Sequence, residues 1–183
     1  GEGPSTYAYL SGSELEARVP CETRDHPLLL LPKEARVGWL TELLGDDAPL
    51  PKSLLEGELS PKSAQIFEAL LKGYQGDLSE VLKHVQVERF SASRRYRRAL
   101  STVDPQLRVD AHARQVTADR SLAALPHALQ HLNLYEAGGH LVEGNRGLIE
   151  YNDLLKRPLE AFKYLLSTCE SGAVRLETLT LYL

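Results

Sequence analysis

Apolar positions along the chain follow two rhythms, one near 3.6 residues and one of two, and their succession predicts the elements. Thr6-Tyr7-Ala8-Tyr9-Leu10 is aromatic and β-compatible and predicts a short strand, closed by Ser11-Gly12-Ser13. A four-leucine run, Leu28 to Leu31, lies between two prolines. Pro32 suits the first turn of a helix carrying Val37, Leu40, Leu43 and Leu44, which ends near Gly45-Asp46-Asp47. Residues 46–60, with Pro49, Pro51 and Gly57, read as a loop. Ser60-Pro61 supplies an N-cap and a first-turn proline for a helix whose stripe is Ile66, Phe67, Leu70 and Leu71, with Gly73 at its end. Asp77 opens a short helix bearing Val81 and Leu82, and Val85 to Phe90 then alternates with period two, which predicts a half-buried strand.

Residues 105–120 are polar and read as a loop, and Leu122 to Leu134 as a helix broken by Gly138-Gly139. There an apolar segment, Leu141-Val142, runs into Glu143, Gly144, Asn145 and Gly147, with an amphipathic helix expected to follow. The Gly138–Tyr151 stretch is thus read as strand, turn and helix. A helix from Pro158 to Glu170 should turn Leu159, Phe162, Leu165, Leu166 and Cys169 inward, with Gly172 as its C-cap. Leu176 to Leu183 is strongly β-forming, although its alternation changes phase between Leu176 and Leu179. Alternating strands and helices predict a helix-rich α/β domain.

Composition narrows the class. The 183 residues suffice for one domain with a core, and 43% apolar with 25% charged residues is ordinary globular usage. A single domain over 1–183 is expected, with a strand, loop and helix segment over 1–60 and helices, strands and the acidic stretch over 61–183. A net charge of −4 gives no general attraction to nucleic acid or anionic membrane. No apolar run reaches the roughly 18 residues of a membrane span, and Gly1 to Ser5 lacks the features of a signal peptide. Cys21 and Cys169 make no disulfide framework, so a cytoplasmic location is expected. The chain contains no methionine and stops within a β-forming run, as would a piece of a longer protein.

Three clusters invite chemistry and resist it. Cys21 and His26 lack a second pair of metal ligands. His127 and His131 have zinc-peptidase spacing, but Ala128 stands where those enzymes carry glutamate. Arg94-Arg95-Tyr96-Arg97-Arg98 is the one dense basic cluster, and on an acidic domain it reads as a solvated face or a phosphate or subunit contact rather than a nucleic-acid site. Arg97-Arg98-Ala99-Leu100-Ser101 also matches a short basophilic phosphorylation pattern.

Four stretches in order resemble the PrkA-type bacterial serine protein kinases. Asp25-His26-Pro27-Leu28-Leu29-Leu30-Leu31-Pro32 is similar to the family's acidic-Pro-Leu-x-Leu-Ile-Pro segment. Gly76 to Phe90 is similar to its Gly-Asp-x-x-x-Val-Leu-x-His-Val-x-Val-x-Arg run. Gly144-Asn145-Arg146-Gly147-Leu148-Ile149-Glu150-Tyr151 resembles its Ala-Asn-Arg-Gly-Leu-Leu-Glu-Phe, and Leu165 to Gly172 its Leu-Leu-Thr-Ala-Thr-Gln-Glu-Gly. The resemblance implies a P-loop NTPase fold of AAA+ type, here the central part. The phosphate loop (Gly-x-x-x-x-Gly-Lys-Ser/Thr) is absent from this chain and expected upstream.

ATP and Mg²⁺ are implied for the full-length protein, with little ATP affinity for residues 1–183 alone. A protein substrate and AAA+ homo-oligomerisation are implied as well. AAA+ strands carry an Asp-Glu pair, the Asp for Mg²⁺ and the Glu to activate water, and Val142 and Glu143 stand where that pair is expected. The resemblance therefore assigns Glu143 as general base, Asn145 to the γ-phosphate or its water and Arg146 to phosphate charge. Val142 in place of Asp departs from the pattern. The competing readings are a non-catalytic interaction or scaffold domain of the same fold and an ATP-driven remodelling or protease subunit.

Overall fold

The structure is a computed structural model that describes residues 10, 12–15, 17–46, 49–96, 98–103, 110–116, 123–176 and 180–182. Its helices are α1 (Lys33–Leu44), α2 (Lys52–Leu55), α3 (Pro61–Gly73), α4 (Leu78–Lys83), α5 (His140–Glu143) and α6 (Lys163–Ser171). The strands are β1 (Leu100–Val103), β2 (His112–Gln115), β3 (Tyr135–Gly138), β4 (Leu148–Tyr151), β5 (Ala173–Arg175) and β6 (Thr180–Tyr182). Among the described residues they form three two-stranded sheets, with β1 and β4 parallel and the pairs β2–β3 and β5–β6 antiparallel. The domain is α/β in character. No helix among the described residues is long and apolar enough to cross a membrane. The strand expected over Thr6 to Leu10 lies outside the described residues apart from Leu10.

Helix boundaries follow cap chemistry. Pro32 precedes α1; Pro61 opens α3 after Ser60, whose hydroxyl donates to Asp25 at 2.7 Å rather than capping the helix; and the Asp77 carboxylate accepts from the backbone N–H groups of Ser79 and Glu80 at the start of α4. Gly172, at φ 65°, closes α6 in the left-handed region. The Leu28–Leu31 run forms a 3₁₀ turn over Pro27–Leu30, capped by the His26 ring nitrogen Nδ1 accepting from Leu28 N at 3.2 Å. Arg36, buried on α1, donates to the carbonyls of Leu29, Leu31 and Gly57, at 3.1, 2.8 and 2.6 Å. One guanidinium thereby joins the chain before α1 to the turn after α2.

Several expected elements differ. Of the helix expected over Leu122 to Leu134, the described residues, from 123 on, form no α-helix: Pro126 interrupts it, and 3₁₀ conformation occurs at 123–124 and in the turn His127–Leu129. The His127 and His131 rings meet edge to face at 5.1 Å. Residues 105–120 contain β2, whose polar sequence hides a strand paired with β3. Val85 to Phe90 carries strand alternation but joins no ladder. On α1 only Leu40 of the expected stripe is buried, while Val37, Leu43 and Leu44 are exposed. Leu159, Leu166 and Cys169 are exposed as well.

The largest difference falls in Gly138–Tyr151, where strand, turn and helix become strand, helical turn and strand. Leu141 and Val142 sit in the single turn α5, buried with Ala111, Ala137 and Val174. Gly139, at φ 106°, starts that turn; a Cβ there would lie 2.4 Å from the Asp110 carbonyl oxygen, which accepts from Leu141 N. Leu148 to Tyr151 pairs in register with Leu100 to Val103. Gly147 permits the pairing, since a Cβ on it would meet the Ala99 carbonyl oxygen at 1.9 Å. A second cluster of Leu70, Val81 and Leu129 packs α3 against α4 and the 3₁₀ turn.

Candidate functional site

The parallel β1–β4 pair has an amino edge and a carboxyl edge, and they carry different chemistry. At the carboxyl edge β4 ends at Tyr151 and delivers Asn152 and Asp153. Asn152 N donates to the Val103 carbonyl at 2.9 Å, extending the pairing by one rung. Asp153 adopts the left-handed conformation at φ 48° and ψ 43°, uncommon for a non-glycine residue. Its carboxylate is more than half exposed and meets Lys156 at 2.9 Å, a surface pair of small energetic weight.

Beneath this edge lies a fully buried ion pair. Arg157 donates to both Asp110 carboxylate oxygens, at 2.8 and 3.3 Å, and neither side chain is exposed. Tyr151 donates its hydroxyl to the same carboxylate at 3.4 Å, and the Arg157 guanidinium lies 5.5 Å from the Tyr151 ring centroid. Burial first, and the Asp110 charge second, push the Tyr151 hydroxyl up to about 12 from its ordinary 10. The folded state therefore keeps a proton that the unfolded chain releases at lower pH. This contribution is fully present below pH 10 and is lost as pH rises toward 12. The melting temperature should fall over that interval, and less steeply in Tyr151→Phe; identical slopes in the two proteins would refute the assignment.

At the amino edge α5 leads into β4 through Asn145 and Arg146. Asn145 is buried; its amide donates to the Thr23 carbonyl at 2.7 Å, and its side-chain oxygen accepts from Arg146 N at 3.0 Å. Arg24 donates to the carbonyls of Asn145 and Glu143, the latter at 3.0 Å, and lies 4.8 Å over the Phe90 ring. Burial first, and the nearby Arg98 charge next, lower the Arg24 pKa; burial and then Arg146 lower that of His26. Ser101 and Glu143 both approach His140 Nδ1, at 2.8 and 3.6 Å. A proton relay needs acid and hydroxyl on opposite ring nitrogens, so this trio is not a Ser-His-acid triad.

The family model described as the PrkA AAA domain matches residues 12–180. The chain belongs to this family. No curated protein and no solved structure matches the chain. In the PrkA AAA domain frame, the three residues singled out from sequence share the amino edge and do not converge on one point. Glu143 is exposed in the last turn of α5, before β4 rather than beyond a strand; Arg146 is exposed, and the Asn145 amide is spent on Thr23 and Arg146. The expectation that Val142-Glu143 ends a strand gives way because the residues after Gly139 close helical bonds, Glu143 N to Gly139 O at 3.0 Å and Gly144 N to His140 O at 2.9 Å.

The residues that do follow a parallel strand, Asn152 and Asp153, were missed. The available signal was Leu148-Ile149-Glu150-Tyr151 itself, four β-compatible residues running into an amide and an acid. Asp110 and Arg157 were missed too, since nothing local marks two partners 47 residues apart.

Proposed function

We propose that the chain is part of an ATP-dependent serine protein kinase of the PrkA type, with the nucleotide phosphates facing the carboxyl edge of β1 and β4. The carrying observation is the parallel pair with Asn152 and Asp153 immediately beyond β4. Open α/β sheets bind ligands outside the carboxyl ends of their strands, and AAA+ modules set their acidic pair there. Oxygen donors suit Mg²⁺, and an exposed carboxylate beside an amide provides two of them. Asn152 and Asp153 would hold the metal and orient the attacking oxygen, while Arg157 and Asp110 fix the loop that carries them. Bound Mg·ATP supplies the transferable phosphoryl group and the charge neutralisation around it. Asn145 acts as a strut between the turn before β4 and the Thr23 segment, and Arg146 lies at the other end of the strand from the phosphates.

A second reading, a scaffold domain of the same fold, draws on Asn152, an amide where the AAA+ pattern has the metal-binding carboxylate. Full-length protein incubated with γ-labelled ATP and Mg²⁺ separates the two. The kinase reading expects Mg²⁺-dependent turnover with label on protein serine, and label released only as phosphate would favour ATP-driven remodelling. Absence of turnover would leave the scaffold.

A further inference from the structure

The amino edge of the β1–β4 pair gathers positive charge that the ATP reading does not use. Arg98 and Arg146 stand two positions before Leu100 and Leu148, the first partners of the parallel register, so they occupy matching places on the two strands. Both side chains are exposed, and neither makes an ion pair among the described residues. Arg24, held over Phe90 and by the Asn145 carbonyl, brings a third guanidinium to the same edge, and His26 lies close enough to Arg146 to feel its charge. A four-residue strand is about 13 Å long, so this cluster is remote from Asp153 at the far end of β4.

The cluster opens on a groove of about 1420 Å³, beyond the range of roughly 300–1,000 Å³ usual for small-molecule pockets. Its far wall is apolar, with the half-buried Ile66 and Phe67 of α3 at its surface and the core residues Leu70 and Val81 behind them. Five arginines line it against three carboxylates, although the whole chain is acidic at −4. Asp25 accepts from Ser60 N and Oγ, at 2.8 and 2.7 Å, and Glu88 pairs with Arg18, one of the five arginines, at 2.8 Å.

The near wall is Val85 to Phe90. It runs without bend, turn or ladder partner, and among the described residues no backbone N–H or C=O of Gln86 to Phe90 is hydrogen-bonded. An alternating segment whose backbone groups are unpaired among the described residues is a template for strand addition. Five such residues span about 17 Å, and their Phe90 end abuts Arg24.

We infer that the groove docks an extended, phosphoserine-bearing peptide segment of a protein partner, its phosphate on Arg98, Arg146 and Arg24 and its backbone paired along Gln86–Phe90. A doubly charged phosphate matches clustered guanidinium groups better than a single carboxylate does. The apolar wall takes the peptide's alternate side chains. The inference stands apart from the ATP reading, because the two sites lie at opposite edges of the strand pair.

The test uses full-length protein and two degenerate peptide libraries, identical except for a fixed phosphoserine or serine with random positions on both sides. The phosphoserine library should be retained about tenfold better. That preference should vanish in Arg98→Ala/Arg146→Ala, fall partway in Arg98→Ala alone, and persist in Arg94→Ala/Arg95→Ala, with folding of each variant checked by its melting curve. Equal retention of the two libraries overturns the inference, as does a preference indifferent to Arg98 and Arg146. Displacement of the phosphopeptides by ATP at the concentration that saturates hydrolysis would also overturn it, by making the cluster part of the nucleotide site.

Discussion

Asp153→Asn in the full-length protein should bind ATP but lose turnover by about 10²–10⁴-fold, the range for removing a positioned acid or base. Asparagine keeps the shape and one oxygen and removes the charge that a metal or an attacking oxygen would use. Among the described residues the Asp153 carboxylate makes only the exposed pair with Lys156, so the variant should melt with the parent protein. Glu143→Gln is the matched control, since it removes a carboxylate of similar exposure from the opposite edge of β4. Its cost in turnover should be far smaller. If Glu143→Gln proves the more damaging change, the acid role returns to Glu143 and the carboxyl-edge placement of the phosphates is wrong.

Arg157→Ala should be the most destabilising single change at this site, costing about 3–5 kcal/mol, because it strands the fully buried Asp110 charge. Truncation also opens space beside Tyr151 and Phe162, whose rings lie 5.5 and 5.3 Å from the guanidinium. The midpoint of urea unfolding reads the loss. Asp110→Leu/Arg157→Met, which removes both charges at similar volume, should recover most of it, as replaced buried pairs often do. A cost below about 1 kcal/mol for Arg157→Ala would place the pair in the class of surface bridges. The substitution should also lower turnover, since Tyr151 and Arg157 anchor the two ends of the segment that presents Asn152 and Asp153.

Helices were legible where a cap residue fixed them. Pro32, Pro61 and Asp77 act on the few residues after them and Gly172 on the few before it, so reading them needs no tertiary knowledge. Strands were not, because pairing is decided elsewhere in the chain. Leu100 to Val103 hid behind the arginine run, and its partner lies 48 positions on at Leu148. His112 to Gln115 is polar on both faces and is a strand through its ladder with β3. Val85 to Phe90 errs the other way, with alternation but no partner strand. At the site the family and its central motif could be read, yet the element that carries Val142 and Glu143 is a helical turn and not the expected strand. Leu141-Val142 and Leu148-Ile149 are both short apolar runs before an acidic residue, and only backbone geometry separates helical turn from strand.

The Thr23-Arg24 segment also imposes an order on folding. Its partners, Asn145 and Glu143, lie 119 to 122 residues further along the chain. At ribosomal speeds of about 5–20 residues per second, Thr23 and Arg24 wait roughly 6–24 s for those partners to be made. The buried amide of Asn145 and the carbonyls that receive Arg24 therefore close late, after α1, α3 and α4 have had time to form their local contacts. Docking of that segment comes late in assembly, with the Asp110–Arg157 pair and the packing of Val174 on α5 still to follow.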